Sequence, residues 1–236
     1  MNHIINYAHR GASSYAPENT FSAFYLGLQM GADGIETDIH ATRDGVLVLF
    51  HDDTLDRVTN ASGPVCNLTY QELCEVEIWG NGKTFDRIVT LEEFLKFFGF
   101  RQISLAIELK QEGVAEQTVS LIDRYGDRNR VTITSFSQQA LEELREQDKT
   151  IRAGLLTHRD DEETFEFLRQ HAIQEYCPKA DLLTPEKTAY WKSLEFGVRA
   201  WGIKDETVMA HAVQCGVDGM TVNFPDKLTA LLAQKG

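Results

Sequence analysis

The sequence predicts an α/β protein, a (β/α)8 TIM barrel carrying a small insertion after the hairpin of its second strand. Three observations point there. Short runs rich in Val and Ile alternate with helical patterns, which is how the strands of a parallel sheet and their covering helices read. Eight such units fit within 236 residues, the size such a barrel requires. The one break in the alternation, "HATRDGVLVLFHDD" after Ile39, holds Asp44-Gly45 between two β-like stretches and adds a hairpin without adding a barrel strand.

In chain order the predicted strands are Ile4 to Ala8, Gly34 to Ile39, Ile103 to Leu109, Val131 to Ser135, Ile151 to Leu156, Ile173 to Cys177, Val198 to Ile203 and Val217 to Val222. The helices announce themselves by their caps. Asn19 or Thr20 precedes Phe21, Phe24, Tyr25 and Leu28; Ser137 precedes Leu141 and Leu144; Thr184 is followed by Pro185; Asp205 precedes Val208, Met209 and Ala212. Gly31 and Gly216 stand where helices should stop. If the hairpin turns at Asp44 or nearby, antiparallel register puts His51 roughly across from Glu36 on the same side of the ribbon.

From Asp52 to about Val89 the chain is too long for a simple loop. It contains one capped helix, Thr69 with Glu72 ahead of Leu73 and Val76, and is expected to form a small subdomain at about 53–89 over the barrel mouth. Thr90 with Glu93 opens a second helix, with Leu91, Phe94, Leu95 and Phe98 on one face. The expected organisation is a single domain over 1–236.

A formal charge of −13 argues against a nucleic-acid or anionic-membrane surface, since both attract clustered Lys and Arg. No apolar stretch has the character of a signal peptide or a membrane span. Cys66, Cys74, Cys177 and Cys215 lack zinc-site spacing and are too sparse for a disulfide framework, so reduced thiols in a cytoplasmic protein are expected. An acidic protein that handles an anionic substrate needs a local correction, such as a metal ion.

The strand ends carry the chemistry. The first ends in His9-Arg10-Gly11, the second holds Glu36 and Asp38, the hairpin arm leads to His51-Asp52, and "SLAIELK" holds Glu108 and Lys110. Residues two apart on a strand share a face, so Glu36 points with Asp38 and Glu108 with Lys110. One such carboxylate alone would commonly be solvated or paired with Arg10 or Lys110. Three converging on one mouth repel one another unless a cation sits between them, and a thiol-free oxygen set favours Mg2+ or Ca2+ over zinc. Two histidines at the same mouth suit proton transfer near neutral pH. A divalent ion, an acid, a base and nearby cations together describe displacement at phosphorus. His3, His40, His158, His171 and His211 are expected to be structural or solvated.

"HRGASSYAPENTFSAF", "GADGIETDIHATRDGVLVLFHDDTLDRVTN", "LAIELK", "ITSFS" and "GVDGMTVNFPD" together resemble, in that order, the blocks of the glycerophosphodiester phosphodiesterase family. The resemblance runs over nearly the whole chain and implies metal-dependent hydrolysis of small glycerophosphodiesters to glycerol 3-phosphate and an alcohol. By position it makes Glu36, Asp38 and Glu108 the metal ligands, His9 and His51 the acid–base pair, and Arg10 and Lys110 phosphate contacts. In the scheme drawn for such enzymes, the substrate's own glycerol hydroxyl attacks phosphorus and water opens the resulting cyclic phosphate.

Two departures from the family pattern stand out. "TVNFPD" has Asn223 where an Asp is common, and "WGIKDE" keeps Trp201 but has Gly202 and Lys204 where Thr and Asn are common. They either alter leaving-group preference or adjust rim packing, and Trp201 either stacks on substrate or belongs to the core. Two other functions share these residues. One is action on a lysophospholipid or phosphoinositide, for which Tyr70, Ile78, Trp79 and Phe85 would form an apolar lip. The other is a non-catalytic protein that binds a phosphate ligand at the mouth.

Overall fold

The computed structural model describes residues 3–80 and 84–234. The first strand, β1 (Ile5–His9), leads through helix α1 (Phe21–Gln29) to β2 (Gly34–Ala41) and the antiparallel arm β3 (Leu47–Leu49). An insertion follows, with α2 (Tyr70–Leu73) and the two-stranded β4 (Glu77–Gly80) and β5 (Thr84–Arg87). Regular alternation then resumes: α3 (Leu91–Phe98), β6 (Ser104–Leu109), α4 (Ala115–Tyr125), β7 (Val131–Ser135), α5 (Gln138–Gln147), β8 (Arg152–Thr157) and α6 (Glu162–Gln170). The chain finishes with β9 (Glu175–Pro178), α7 (Pro185–Ser193), β10 (Gly197–Ile203), α8 (Glu206–Cys215), β11 (Gly219–Val222) and α9 (Pro225–Ala233).

Eight strands run parallel in the order β1-β2-β6-β7-β8-β9-β10-β11, and β1 pairs with both β2 and β11, which closes the barrel. Alternation along each strand divides the side chains. Ile35 and Ile39, Leu105, Ile107 and Leu109, and Val131 and Ile133 join the helices in one buried apolar layer. On α1 and α3, Phe24, Phe94 and Phe98 form an aromatic cluster in that layer, with ring centroids 5.0 to 5.9 Å apart. The alternate positions face the barrel interior and its mouth.

Helix starts are set locally, as expected. The side chains of Thr20, Ser137, Thr184 and Asp205 each accept a backbone N–H of the first turn, and Thr69 with Glu72 and Thr90 with Glu93 make reciprocal capping boxes. Gly216 ends α8 in the left-handed conformation, at φ +75°. Asp161 caps α6 in the same way, whereas α4 starts after Val114 with no side-chain cap.

Two details of the insertion depart from expectation. The hairpin pairs Ile39 with Leu49 and Ala41 with Leu47, around a loop in which Gly45 takes φ +79°. Phe50 therefore bonds to the Asp38 carbonyl, and His51 falls one residue off the position across from Glu36, beyond the end of β3. The second departure is the hairpin β4–β5, absent from the sequence reading. Each of its strands has four residues, and in β4 Ile78 alone is buried, too short an alternation to register. Ile78 joins Val48, Phe50, Leu55, Val65, Leu73, Val76 and Ile88 in a separate apolar cluster. Of the four aromatic and aliphatic residues read as a lip, Trp79 and Phe85 are exposed while Ile78 is wholly buried.

Candidate active site

The mouth of the barrel is built from the first turn after each strand. Leaving β1, Arg10 takes φ +55° and Gly11 φ +81°, so the chain folds back at once onto α1. A Cβ on Gly11 would stand 2.4 Å from the backbone of Ala23, which is why glycine is required here. The Arg10 backbone N–H donates to the Glu36 carbonyl and Asn19 N–H to the Arg10 carbonyl, pinning the loop. Asn19, also at positive φ, donates from Nδ2 to Asp38 Oδ2 at 2.9 Å and accepts from Thr37 Oγ1 at 2.7 Å. Strain of this kind persists where surrounding contacts over-determine the backbone.

Three acids meet in this frame. Glu36, Asp38 and Glu108 are all buried, and each offers an oxygen within 4.8 Å of the others. Arg10 Nε lies 3.3 Å from Asp38, and Lys110 Nζ 2.8 Å from Glu108 and 3.7 Å from Asp38. Their charges are not equivalent. Burial works against ionisation of Asp38, but Arg10 and Lys110 outweigh it and hold its carboxyl below the usual range. Burial and then the neighbouring acids push Glu36 well above that range, and Glu108 up to about 7.

The histidines flank this group on unlike partners. His9 Nδ1 lies 2.6 Å from Asn223 Oδ1, and its Nε2 lies 3.9 Å from Glu36. Burial, reinforced by Arg10, brings His9 down to about 4, so it is neutral at physiological pH. His51 Nδ1 lies 2.6 Å from Asp52 Oδ1. Burial lowers His51 too, while Asp38 and Asp52 pull it back up. Asp52 is held ionised first by hydrogen bonds from Arg57, whose guanidinium also bonds Glu18, which in turn accepts from Arg10. The chain Arg10–Glu18–Arg57–Asp52–His51 thus braces one side of the mouth.

These groups open on a cavity of about 350 Å³. Its lining includes the polar His9, Arg10, Glu36, His51 and Glu108 and the apolar Phe136, Leu156, Trp201 and Ile203. Trp201 is not core: it stands half-buried at the mouth, edge-on to Phe136 and His158 at 4.9 and 4.8 Å, and donates its indole N–H to the Cys177 carbonyl. His158 is exposed and packs on Trp201 and Phe136. The structure brings His9, His51, Glu36, Asp38, Glu108, Arg10, Lys110 and Trp201 to one end of the barrel. Arg10 and Lys110 are engaged with the acids.

Asn223 and Lys204, the two departures, line the cavity as well. Asn223 is more than a rim residue, since it holds His9. Glu18 and Arg57 carry no reading from the sequence, Asn19 stands there only as a candidate helix cap, and Asp52 only as the neighbour of His51. Their only signal toward the site was position, beside His9-Arg10 or beside His51.

The model of the glycerophosphoryl diester phosphodiesterase family matches residues 9–227. A glycerophosphodiester phosphodiesterase of Caldanaerobacter subterraneus subsp. tengcongensis is 30% identical over 237 residues, which span 97% of this chain and 98% of the relative. One from Bacillus altitudinis is 31% identical over 232 residues, 94% of this chain and 95% of its own. Among solved structures, an Oleispira antarctica phosphodiesterase in complex with the product sn-glycerol-3-phosphate is similar with a TM-score of 0.88 and 26% identity, over 97% of this chain and 96% of that one.

Proposed function

The chain belongs to the glycerophosphoryl diester phosphodiesterase family, as a phosphoric diester hydrolase, and from that premise we propose a metal-dependent reaction run by two histidines at the barrel mouth. The substrate is a small glycerophosphodiester, and the products are sn-glycerol 3-phosphate and an alcohol, which places the reaction in glycerol and lipid metabolism. The observation that carries this reading is the meeting of Glu36, Asp38 and Glu108 within 4.8 Å, with His9 and His51 on the wall of the same cavity. The product bound to the Oleispira antarctica phosphodiesterase supports the choice of substrate.

The three acids fit a divalent cation. They supply hard oxygen donors without a thiol, and Asp38 Oδ1 is buried with no hydrogen-bond partner. Mg2+ or Ca2+ suits such donors. When bound, the ion offsets the repulsion among the acids and stabilises negative charge developing on the phosphoryl oxygens.

The unlike partners of the histidines assign their first roles. With its Nδ1–H donated to the neutral amide of Asn223, His9 presents the Nε2 lone pair to the cavity and takes the proton of the attacking hydroxyl. His51 donates its Nδ1–H to an ionised carboxylate, which stabilises the imidazolium, so His51 gives its Nε2 proton to the departing alkoxide. If the glycerol hydroxyl attacks, the two exchange roles while water opens the cyclic phosphate. Arg10 and Lys110, beside the acids, add positive charge where the phosphate arrives. Phe136 and Trp201 offer an apolar wall for the rest of the substrate.

No helix among the described residues is long and apolar enough to cross a membrane. The four cysteines are free, which supports a reducing, cytoplasmic setting. Hydrolysis of glycerophosphocholine with and without EDTA tests the reading, and its lysolipid counterpart tests how large a substrate is accepted. His9→Asn and His51→Asn should keep the wild-type circular-dichroism spectrum and melting temperature and lose turnover. Turnover indifferent to EDTA and to both substitutions would overturn the proposal.

A further inference from the structure

The barrel interior holds an ion pair that the reaction above leaves unused. Such interiors are ordinarily filled by branched apolar side chains. Here β10 contributes Arg199, 3% exposed, and β9 contributes Glu175, 7% exposed. Arg199 Nε lies 3.2 Å from Glu175 Oε2, and its guanidinium sits over the Tyr7 ring at 5.2 Å. Glu175 is shared, because its other oxygen accepts from Arg152 Nε at 3.0 Å. Two arginines therefore face one carboxylate, Arg199 from inside the barrel and the half-exposed Arg152 from its edge. The Nη2 of Arg199 is buried without a hydrogen-bond partner, a state that calls for a ligand or a role. Arg199 also lines two cavities at once: the mouth cavity, with Glu36, Glu108 and Thr221, and one of about 50 Å³ at the other end of the barrel, with Ile5 and Gly219.

We propose that Arg199 is the floor cation of the mouth, a positioning residue that draws the phosphoryl group of the substrate toward the three acids while opposing the divalent cation those acids hold. The inference rests on the hydrolase reading. Its signature is one of sign: a fixed positive charge beneath the site strengthens binding of an anion and weakens binding of a cation. A residue that merely packs the barrel would move both affinities the same way or neither.

Calorimetric titration of the full chain with Mg2+ alone, and with sn-glycerol 3-phosphate at saturating Mg2+, reads the two signs separately. Arg199→Met should bind Mg2+ more tightly and glycerol phosphate about tenfold more weakly, the scale of one charge acting through several ångströms of protein. KM for a glycerophosphodiester should rise by more than kcat falls, and Arg199→Lys, which keeps the charge, should lie nearer wild type. Should Arg199→Met not fold, Arg199→Gln removes the charge while keeping a hydrogen-bond donor for Glu175. The same opposed shifts are expected there. Parallel shifts, or none, in the folded variant overturn the assignment. A wild-type chain without hydrolytic activity would defeat the hydrolase reading alone, because opposed shifts in the two titrations would still support the role of Arg199.

Discussion

His9 Nδ1 lies 2.6 Å from Asn223 Oδ1 across 214 residues of sequence, because closure of the barrel pairs β1 with β11 and sets Ala8 beside Val222. A neutral amide thus orients the histidine proposed as the base. Asn223→Asp puts a negative charge against the ring and raises the His9 pKa from its value of about 4. The base must be neutral to act, so the acidic limb of the kcat/KM profile should move to higher pH, by about one unit or more. Asn223→Leu removes the anchor without adding charge and should lower kcat roughly 10–100-fold. An acidic limb unmoved in Asn223→Asp would take His9 out of the role of base.

The other histidine rests on a carboxylate. Asp52→Asn keeps the shape of the contact at 2.6 Å but withdraws the charge that supports the imidazolium. We expect kcat to fall roughly 10–100-fold with little change in KM, since the interaction strengthens only as the proton moves. Steady-state kinetics on a glycerophosphodiester decide it, and a loss confined to KM would argue for substrate binding instead.

Metal and protons compete for the three acids. Glu36 lies well above the ordinary carboxyl range and Glu108 at about 7, so the metal-free folded state holds protons that the unfolded chain has already released. The stability from a protonated Glu108 is complete below the unfolded value of 4.5 and is lost as the pH rises through about 7. A divalent cation takes the place of those protons. The rise in melting temperature produced by Mg2+ should therefore be small at about pH 5 and large at about pH 8. It should vanish in the variant E36Q/E108Q. An increment independent of pH would show that Mg2+ binds elsewhere.

Gly11 is the backbone hinge on which the first loop turns. Gly11→Ala adds a Cβ at φ +81° and 2.4 Å from the Ala23 backbone, and neither strain is relieved by a rotamer change. A destabilisation of roughly 2–4 kcal/mol is expected from the two together. Urea denaturation measures it, and a cost below about 1 kcal/mol would mean that the loop reaches the site by another path.

The strands, the helix caps and the acid pair Glu36–Asp38 were legible in the sequence because each depends on neighbours a few residues away. Val and Ile alternate within a strand, Thr90 and Glu93 cap across one turn, and residues two apart share a face whatever surrounds them. Tertiary structure alone decided the rest. That Asn223 holds His9, that Arg57 joins Asp52 to Glu18, and that Arg199 lies over Tyr7 all follow from closing eight strands into a ring and folding the insertion onto its mouth. The hairpin register, set by a loop with one residue at positive φ, and the short β4–β5 ribbon with its single buried side chain in β4 likewise had no local signature. Local propensity sets which segments become strands and helices; burial and charge pairing between distant segments set which side chains meet.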